Sequence, residues 1–216
     1  MPFPTFFNLP EEKRQLILDC AIEEFAQKDY DSASISQIVA RAGIAKGSLY
    51  QYFTDKSDLY RYLLELALQK KTEMLAEAQP ADPDAPLFVY LRWLFHEMAR
   101  FELRYPQLAK IGYRAAYGKS PLPDETLAQG KQATRQFFED LVERGKRSGE
   151  IRPEVDTAGA AFIFSALLSQ MGEFLAARAG VSADEIGSSG RYPAQDTQVQ
   201  ETFDQLMSIL QYGLAR

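Results

Sequence analysis

Residues Ile35–Phe53 read ISQIVARAGIAKGSLYQYF. Ile35, Ile38, Val39 and Ala42 follow the i, i+3, i+4, i+7 spacing of one helix face. Ser34 stands three residues before Gln37, a pattern that predicts a capping box at the helix start. Gly43 falls where a left-handed residue would end that helix. A second short helix is expected to begin two residues on and to run to about Tyr52. On it Ala45, Leu49, Tyr52 and Phe53 fall near one side. Gly47, Ser48 and Gln51 point away, with Lys46 and Tyr50 at the flank. Two short helices across a glycine-containing turn have the spacing of a helix-turn-helix.

The outward set suits the major groove of a duplex. Gln51 can pair with an adenine edge, and Gly47 lets the backbone approach closely. Lys46, Tyr52 and Lys56 can reach phosphates, which position a protein without reading sequence. Ser36 and Gln37 serve either as capping residues or as groove contacts. Tyr50 serves as groove contact, as core, or as both.

Outward from this stretch the chain reads as helices throughout, about nine of them by apolar periodicity. "PEE" at Pro10 opens a helix carrying Leu16, Ile17, Cys20, Ala21 and Phe25, ending near Lys28–Tyr30. Asp55 caps a helix that continues to about Ala78. "QPADPDAP" then breaks the chain. Leu87–Arg104 is apolar on nearly every side, which predicts a centrally buried helix. Pro106 restarts the chain, "GKSPLP" interrupts it, and a further helix reaches about Arg147. Asp156 or Thr157 caps the next, to about Arg178; "GVSADEIGSSGRYPAQD" reads as a loop, and a last helix carries Val199, Phe203, Leu206, Met207 and Leu210. The fold class is all-α, with no convincing strand or internal repeat.

Composition sets the bounds. The chain has 216 residues, 46% hydrophobic, with net charge −6 and a single cysteine, Cys20. The core is sizeable, a general nucleic-acid coat is excluded, and no internal disulfide can form. A reducing cytoplasm fits. No signal peptide and no run of about 18 apolar residues is found, so neither secretion nor membrane insertion is expected. Charge is locally favourable: Arg41 to Lys56 holds three basic residues and one acidic, against six and eight through Lys56 as a whole. His96, the only histidine, has no second ligand at metal spacing and is read as structural or cavity-lining. Glu23–Glu24 reads as a solvated helix face. No nucleophile, acid–base pair or phosphate loop stands out, so no enzyme, cofactor or metal is expected.

The stretch ISQIVARAGIAKGSLYQYFTDKSDL, with its A-G-I-x-K-G-S-L-Y-x-Y-F core followed by D-K-x-D-L, resembles the DNA-binding region of the TetR/AcrR family of bacterial transcriptional regulators. The likeness covers roughly residues 10–65. It implies an N-terminal three-helix DNA-binding domain, taken as residues 1–55, on a helical ligand-binding and dimerisation domain, residues 56–216. By matching positions, Lys46, Tyr52 and Lys56 would contact phosphate. Gly47, Tyr50 and Gln51 would lie at the bases, and Ser36 and Gln37 within reach of the groove; Ser48 joins the DNA-binding candidates from its place on the outward face. Two departures stand out: Ala45 where Ser or Thr often caps the recognition helix, and Asp29 where glycine often turns the chain.

The implied function is a homodimeric regulator, by default a repressor, acting on palindromic operator DNA in the bacterial cytoplasm and released by a small molecule. The aromatic middle region (Phe88, Trp93, Phe95, His96, Tyr113, Tyr117, Phe137, Phe138) offers cavity-lining candidates. Its lack of clustered charge points to a mainly hydrophobic effector. Ala158, Ala161, Ser165, Ser169, Gly172 and Ala176 form a small-residue stripe, read as a dimer face together with the last helix; ordinary intramolecular packing is the other reading. The rivals are a protein of the same fold serving chromosome organisation or cell division, and a helical carrier or enzyme that merely contains the motif.

Overall fold

A computed structural model describes residues 1–78, 82, 85–178, 180 and 197–214. All but the first residue of the expected loop 180–196, and most of "QPADPDAP", lie outside the described residues. Ten α-helices are present among those described: α1 Pro4–Phe7, α2 Glu11–Gln27, α3 Ile35–Arg41, α4 Lys46–Leu49, α5 Lys56–Glu77, α6 Leu87–Arg104, α7 Pro106–Tyr117, α8 Asp124–Ser148, α9 Thr157–Arg178 and α10 Thr197–Leu214. The one element the sequence reading missed is α1, a single turn opened by Pro4 at its first position.

The chain packs as two compact units. The first holds Met1–Lys70 and Gln107–Leu127; the second holds Lys71–Pro106 and Ala128–Arg216. The α5 helix contributes to both. In the first unit, Ile17, Phe25, Ile38, Leu49, Phe53 and Leu59 are fully covered. Phe6 of α1 closes this core, its ring 4.9 Å from that of Phe53. Residues 107–127 belong here by packing. Arg114 of α7 donates to the carbonyls of Phe25, Gln27 and Lys28, and the Tyr60 hydroxyl donates to Ile111 O at 3.4 Å.

In the second unit Leu87, Leu91 and Phe95 of α6 meet Phe138 and Val142 of α8 and Phe164 of α9, with Phe203 and Met207 of α10 completing the cluster. Three readings are corrected here. First, α6 is not buried all round: Val89, Arg92 and His96 leave one stripe open, because the polar residues at every fourth position break the apolar surround. Second, the small-residue stripe of α9 is no single outer face. Ala161, Gly172 and Ala176 are buried, and a Cβ on Gly172 would collide with the Glu102 side chain, so this glycine serves close packing on α6. The open face of α9 carries Phe162, Ile163 and Phe174 instead. On α10 Phe203, Met207 and Leu210 face the unit's own core, leaving Ile209 and Tyr212 exposed. Third, α9 is long and apolar enough to cross a membrane by length and composition, with a mean hydropathy of 1.5. Its alanines and few charges give a partly buried packing helix the same composition.

Candidate nucleic-acid interface

The scaffold of the interface is a buried carboxylate. Glu24 of α2 is 2% exposed, although the sequence reading placed it on a solvated face. Its Oε1 accepts from Lys28 Nζ at 2.8 Å and from the Ser34 backbone N–H at 2.9 Å; its Oε2 accepts from the Arg41 guanidinium at 2.9 Å. Burial pushes the Glu24 carboxyl up, but the Lys28 and Ser34 hydrogen bonds and the Arg41 charge outweigh it and hold the group below its ordinary range. One side chain thus ties both ends of α3 to α2. The predicted capping box does not form: Ser34 makes no side-chain cap, and its N–H, the donor Gln37 was expected to satisfy, goes to Glu24. Ser36 and Gln37 are exposed.

Gly43 has φ +64°, as its position predicted. Ile44 N–H donates to Val39 O at 3.0 Å and Gly43 N–H to Ala40 O at 3.3 Å, the paired bonds of a Schellman ending. The chain then enters α4, whose regular part is one turn. Gln51 N–H to Ser48 O and Tyr52 N–H to Leu49 O extend the coil to Tyr52. Ala45 supplies no side-chain cap, as the sequence implied. The far end is tied by the N-terminal segment: Phe3 N–H donates to Tyr52 O at 2.8 Å and the Thr5 hydroxyl to Gln51 O.

Leu49 and Phe53 anchor α4 inward at 1% exposure each, while Lys46, Gly47, Tyr50 and Gln51 are exposed and Ser48 half-buried. Gly47 has no internal reason to be glycine: a Cβ there would meet open space. Tyr52 sits with the core, 7% exposed, its ring 6.0 Å from Phe6. Lys56 lies over the Tyr30 ring at 4.6 Å and donates to Asp31 O at 3.2 Å. Arg41, counted in the local positive balance, is held by Glu23 and Glu24. Asp55 caps α5 as expected, accepting from Asp58 N–H at 2.8 Å, while Asp58 accepts from Thr54 N–H at 3.1 Å.

The second unit holds a cavity of about 450 Å³ between α6, α9 and α10. Trp93, Leu103, Leu175 and Phe203 give it apolar walls; Arg92, His96, Arg100 and Asp204 give it polar ones. Of the sequence candidates, Trp93 and His96 line it. Phe88, Phe95 and Phe138 are core, and Phe137 is exposed at the surface. Tyr113 and Tyr117 are exposed on α7 in the first unit. The expectation of no clustered charge fails here, because Arg92, His96 and Arg100 recur at every fourth position of α6 and so share a face. That spacing was readable; counting only aromatics hid it. Among the described residues no group of His, Cys, Asp and Glu could hold a metal.

With this geometry in view, the family models decide the kinship. Residues 17–63 match the model of bacterial regulatory proteins of the tetR family, and residues 85–215 that of the tetracyclin repressor-like C-terminal domain. The chain belongs to the TetR family. Its members are transcriptional regulators rather than enzymes, and α3 and α4 lie within the stretch that matches the family's helix-turn-helix domain. A TetR family regulator from Chloroflexus aurantiacus superposes with a TM-score of 0.92 at 41% identity, over 100% of this chain and 99% of that one. The HTH-type transcriptional regulator AcrR of Shigella flexneri is 38% identical over 86 residues, 40% of each chain, so less than half of that relative's length is spanned. AibR, crystallised in complex with isovaleryl coenzyme A and operator DNA, shares the fold at 19% identity and a TM-score of 0.65, covering 92% of this chain and 98% of that one.

Proposed function

We propose that this TetR family protein is a repressor that binds a palindromic operator as a homodimer through α4 and releases it when a small-molecule effector enters the second unit. The bacterial cytoplasm is the setting this reading requires. The observation that carries it is the two-sidedness of α4. Leu49 and Phe53 hold it from within, and Lys46, Gly47 and Gln51 remain open to a duplex. Gly47 adds weight, since neither space nor backbone angle inside the protein calls for a glycine there.

In this reading Gln51 reads a base edge, Ser48 and Tyr50 lie beside it, and Lys46 and Lys56 contact phosphates. Tyr52 acts from the core, orienting the helix, with only its rim available to the backbone. Ser36 and Gln37 on α3 approach the same groove. Two copies would set their recognition helices about 34–36 Å apart on the duplex. The effector shifts the balance only if it binds the DNA-incompetent arrangement better. The relay is covalent: α5 begins next to the recognition helix and ends in the effector-binding unit.

The test starts with selection of binding sites from random duplexes, followed by titration of variants. Lys46→Ala should weaken every sequence and reduce the salt slope by about one. Gln51→Ala should cost about 1–3 kcal/mol on the selected site and relax preference at one position. Gly47→Ala should weaken binding while leaving the melting temperature unchanged or slightly raised, because alanine favours a helix by roughly 0.5–1 kcal/mol. If all three variants bind the selected site as the wild type does, α4 is not the reading element.

A further inference from the structure

Resting on the reading of the second unit as an effector-binding module, we infer that its cavity takes an amphipathic organic anion: a carboxylate-type head on an apolar ring or chain. Arg92, His96 and Arg100 stand at i, i+4 and i+8 on α6, so their side chains ladder along one wall of the 450 Å³ space. Two guanidinium groups line the cavity against one carboxylate, Asp204. The other acid nearby, Glu97, is 5% exposed and does not line the space; it accepts from Arg100 at 2.6 Å and meets His96 Nδ1 at 3.1 Å. A cation entering would face the arginines. A wholly apolar molecule would strip water from the half-exposed Arg92 guanidinium and offer no polar group in exchange.

The apolar half is equally defined. The Arg92 guanidinium lies over the Phe203 ring at 5.5 Å, and the His96 ring meets the same phenyl edge-on at 5.7 Å. A flat ring or an alkyl chain laid along Trp93, Phe203 and Leu175 would therefore bring its head to the arginine ladder. Asp204 holds Arg92 in an ion pair whose members are both about half exposed, 48% and 57%. Such a pair is weak, because water screens it. Asp204 thus acts as a displaceable stand-in for the anion, turning outward to solvent when a ligand carboxylate takes its place on Arg92.

This assignment makes opposite predictions for two neighbouring residues. Isothermal calorimetry on the full-length protein without DNA would compare 2-naphthoate and decanoate with their neutral amides. The acids should bind at least about tenfold more tightly than the amides, the ratio expected for one charge-assisted hydrogen bond. Arg92→Gln should weaken acid binding by about tenfold or more, Arg92→Lys should restore part of it, and Asp204→Asn should tighten it severalfold by freeing Arg92. Raising the salt concentration should erode the acid's advantage. The assignment is overturned if neither acid binds, if amide and acid bind alike, or if Asp204→Asn weakens the acid. The wild-type comparison of acid and amide decides the matter even if a variant misfolds. Because binding is read on the protein alone, loss of this assignment leaves the α4 titrations untouched, and failure at α4 leaves this result standing.

Discussion

A carboxyl group inside the second unit sets a pH dependence. Glu102 of α6 accepts from the Gly172 N–H at 2.7 Å. Burial pushes its pKa up, and although that hydrogen bond and the Lys71 charge pull it back, with Glu173 opposing, it stands at about 7 against an ordinary 4.5. Burial also draws the Lys71 ammonium down, leaving it a less effective partner as pH rises. Between the two carboxyl values the folded chain keeps a proton that the unfolded chain has released, so folding is favoured most at the acidic end of the interval. This stabilisation declines as pH rises from about 4.5 to about 7, by on the order of 3 kcal/mol in total. Glu24 and Asp58, both held below the ordinary carboxylate range, lose their contribution only at lower pH, so they fall outside this interval. Glu102→Gln keeps an acceptor for Gly172 and removes the titration. Its melting temperature should match the wild type near pH 4.5 and exceed it near pH 8. Parallel melting curves for the two proteins across that range would show that Glu102 carries no such burden.

Among the elements, α2 and α7 show how a helix end is finished from a distance. The α2 helix stops at Gln27, and its last carbonyls would be left without partners. The Arg114 guanidinium meets them, donating to Lys28 O at 2.6 Å, Phe25 O at 3.2 Å and Gln27 O at 3.4 Å, and placing a cation at the negative end of the helix. Lys119 pairs with Asp31 at 3.1 Å just beyond. Arg114→Met keeps most of the aliphatic stem and deletes the donors. It should cost about 1–3 kcal/mol in denaturant unfolding and speed amide exchange around Lys28 to Ser32. Unchanged stability together with unchanged exchange would reduce Arg114 to a surface residue. The same pairing marks what a sequence does and does not disclose. Proline, glycine, Asp55 and the pair Asp156–Thr157 marked starts or stops of α3, α5, α6, α7 and α9, since those signals act within a turn of the chain. The inward face of α4 was legible for the same reason: Leu49 and Phe53 repeat at helical spacing. Glu24 serving Ser34 ten residues on, Arg114 serving Lys28, and the Phe6 ring closing on Phe53 depend on which surfaces meet in space. Their residue types look like ordinary surface charge or an apolar tail until the partner is placed.

At the scale of the whole molecule, the second unit leaves an apolar surface uncovered. Phe162 and Ile163 of α9 are 69% and 44% exposed, and Ile209 and Tyr212 of α10 are 70% and 80% exposed. Scattered apolar residues need no explanation, but large ones repeated along two helices mark a surface that associates. The DNA-binding face argues in the same direction. With Arg41 spent on Glu23 and Glu24, the cations proposed to meet phosphate are Lys46 and Lys56, too few for firm binding by one copy on a duplex whose affinity scales with phosphates neutralised. Pairing through α9 and α10 would double those contacts and present two recognition helices to a palindrome. A double substitution, Phe162→Glu with Ile209→Glu, tests this without touching the core, since both side chains already face outward and such positions change folding by only about 0.5 kcal/mol. The wild type should sediment as a dimer at micromolar concentration and the variant as a monomer with an unaltered circular dichroism spectrum. Operator affinity should fall by far more than tenfold, because each half-site then binds alone. A variant that stays dimeric would place the interface elsewhere. A variant that becomes monomeric yet holds the operator as tightly as before would separate pairing from recognition, and the two-site account of binding would fail.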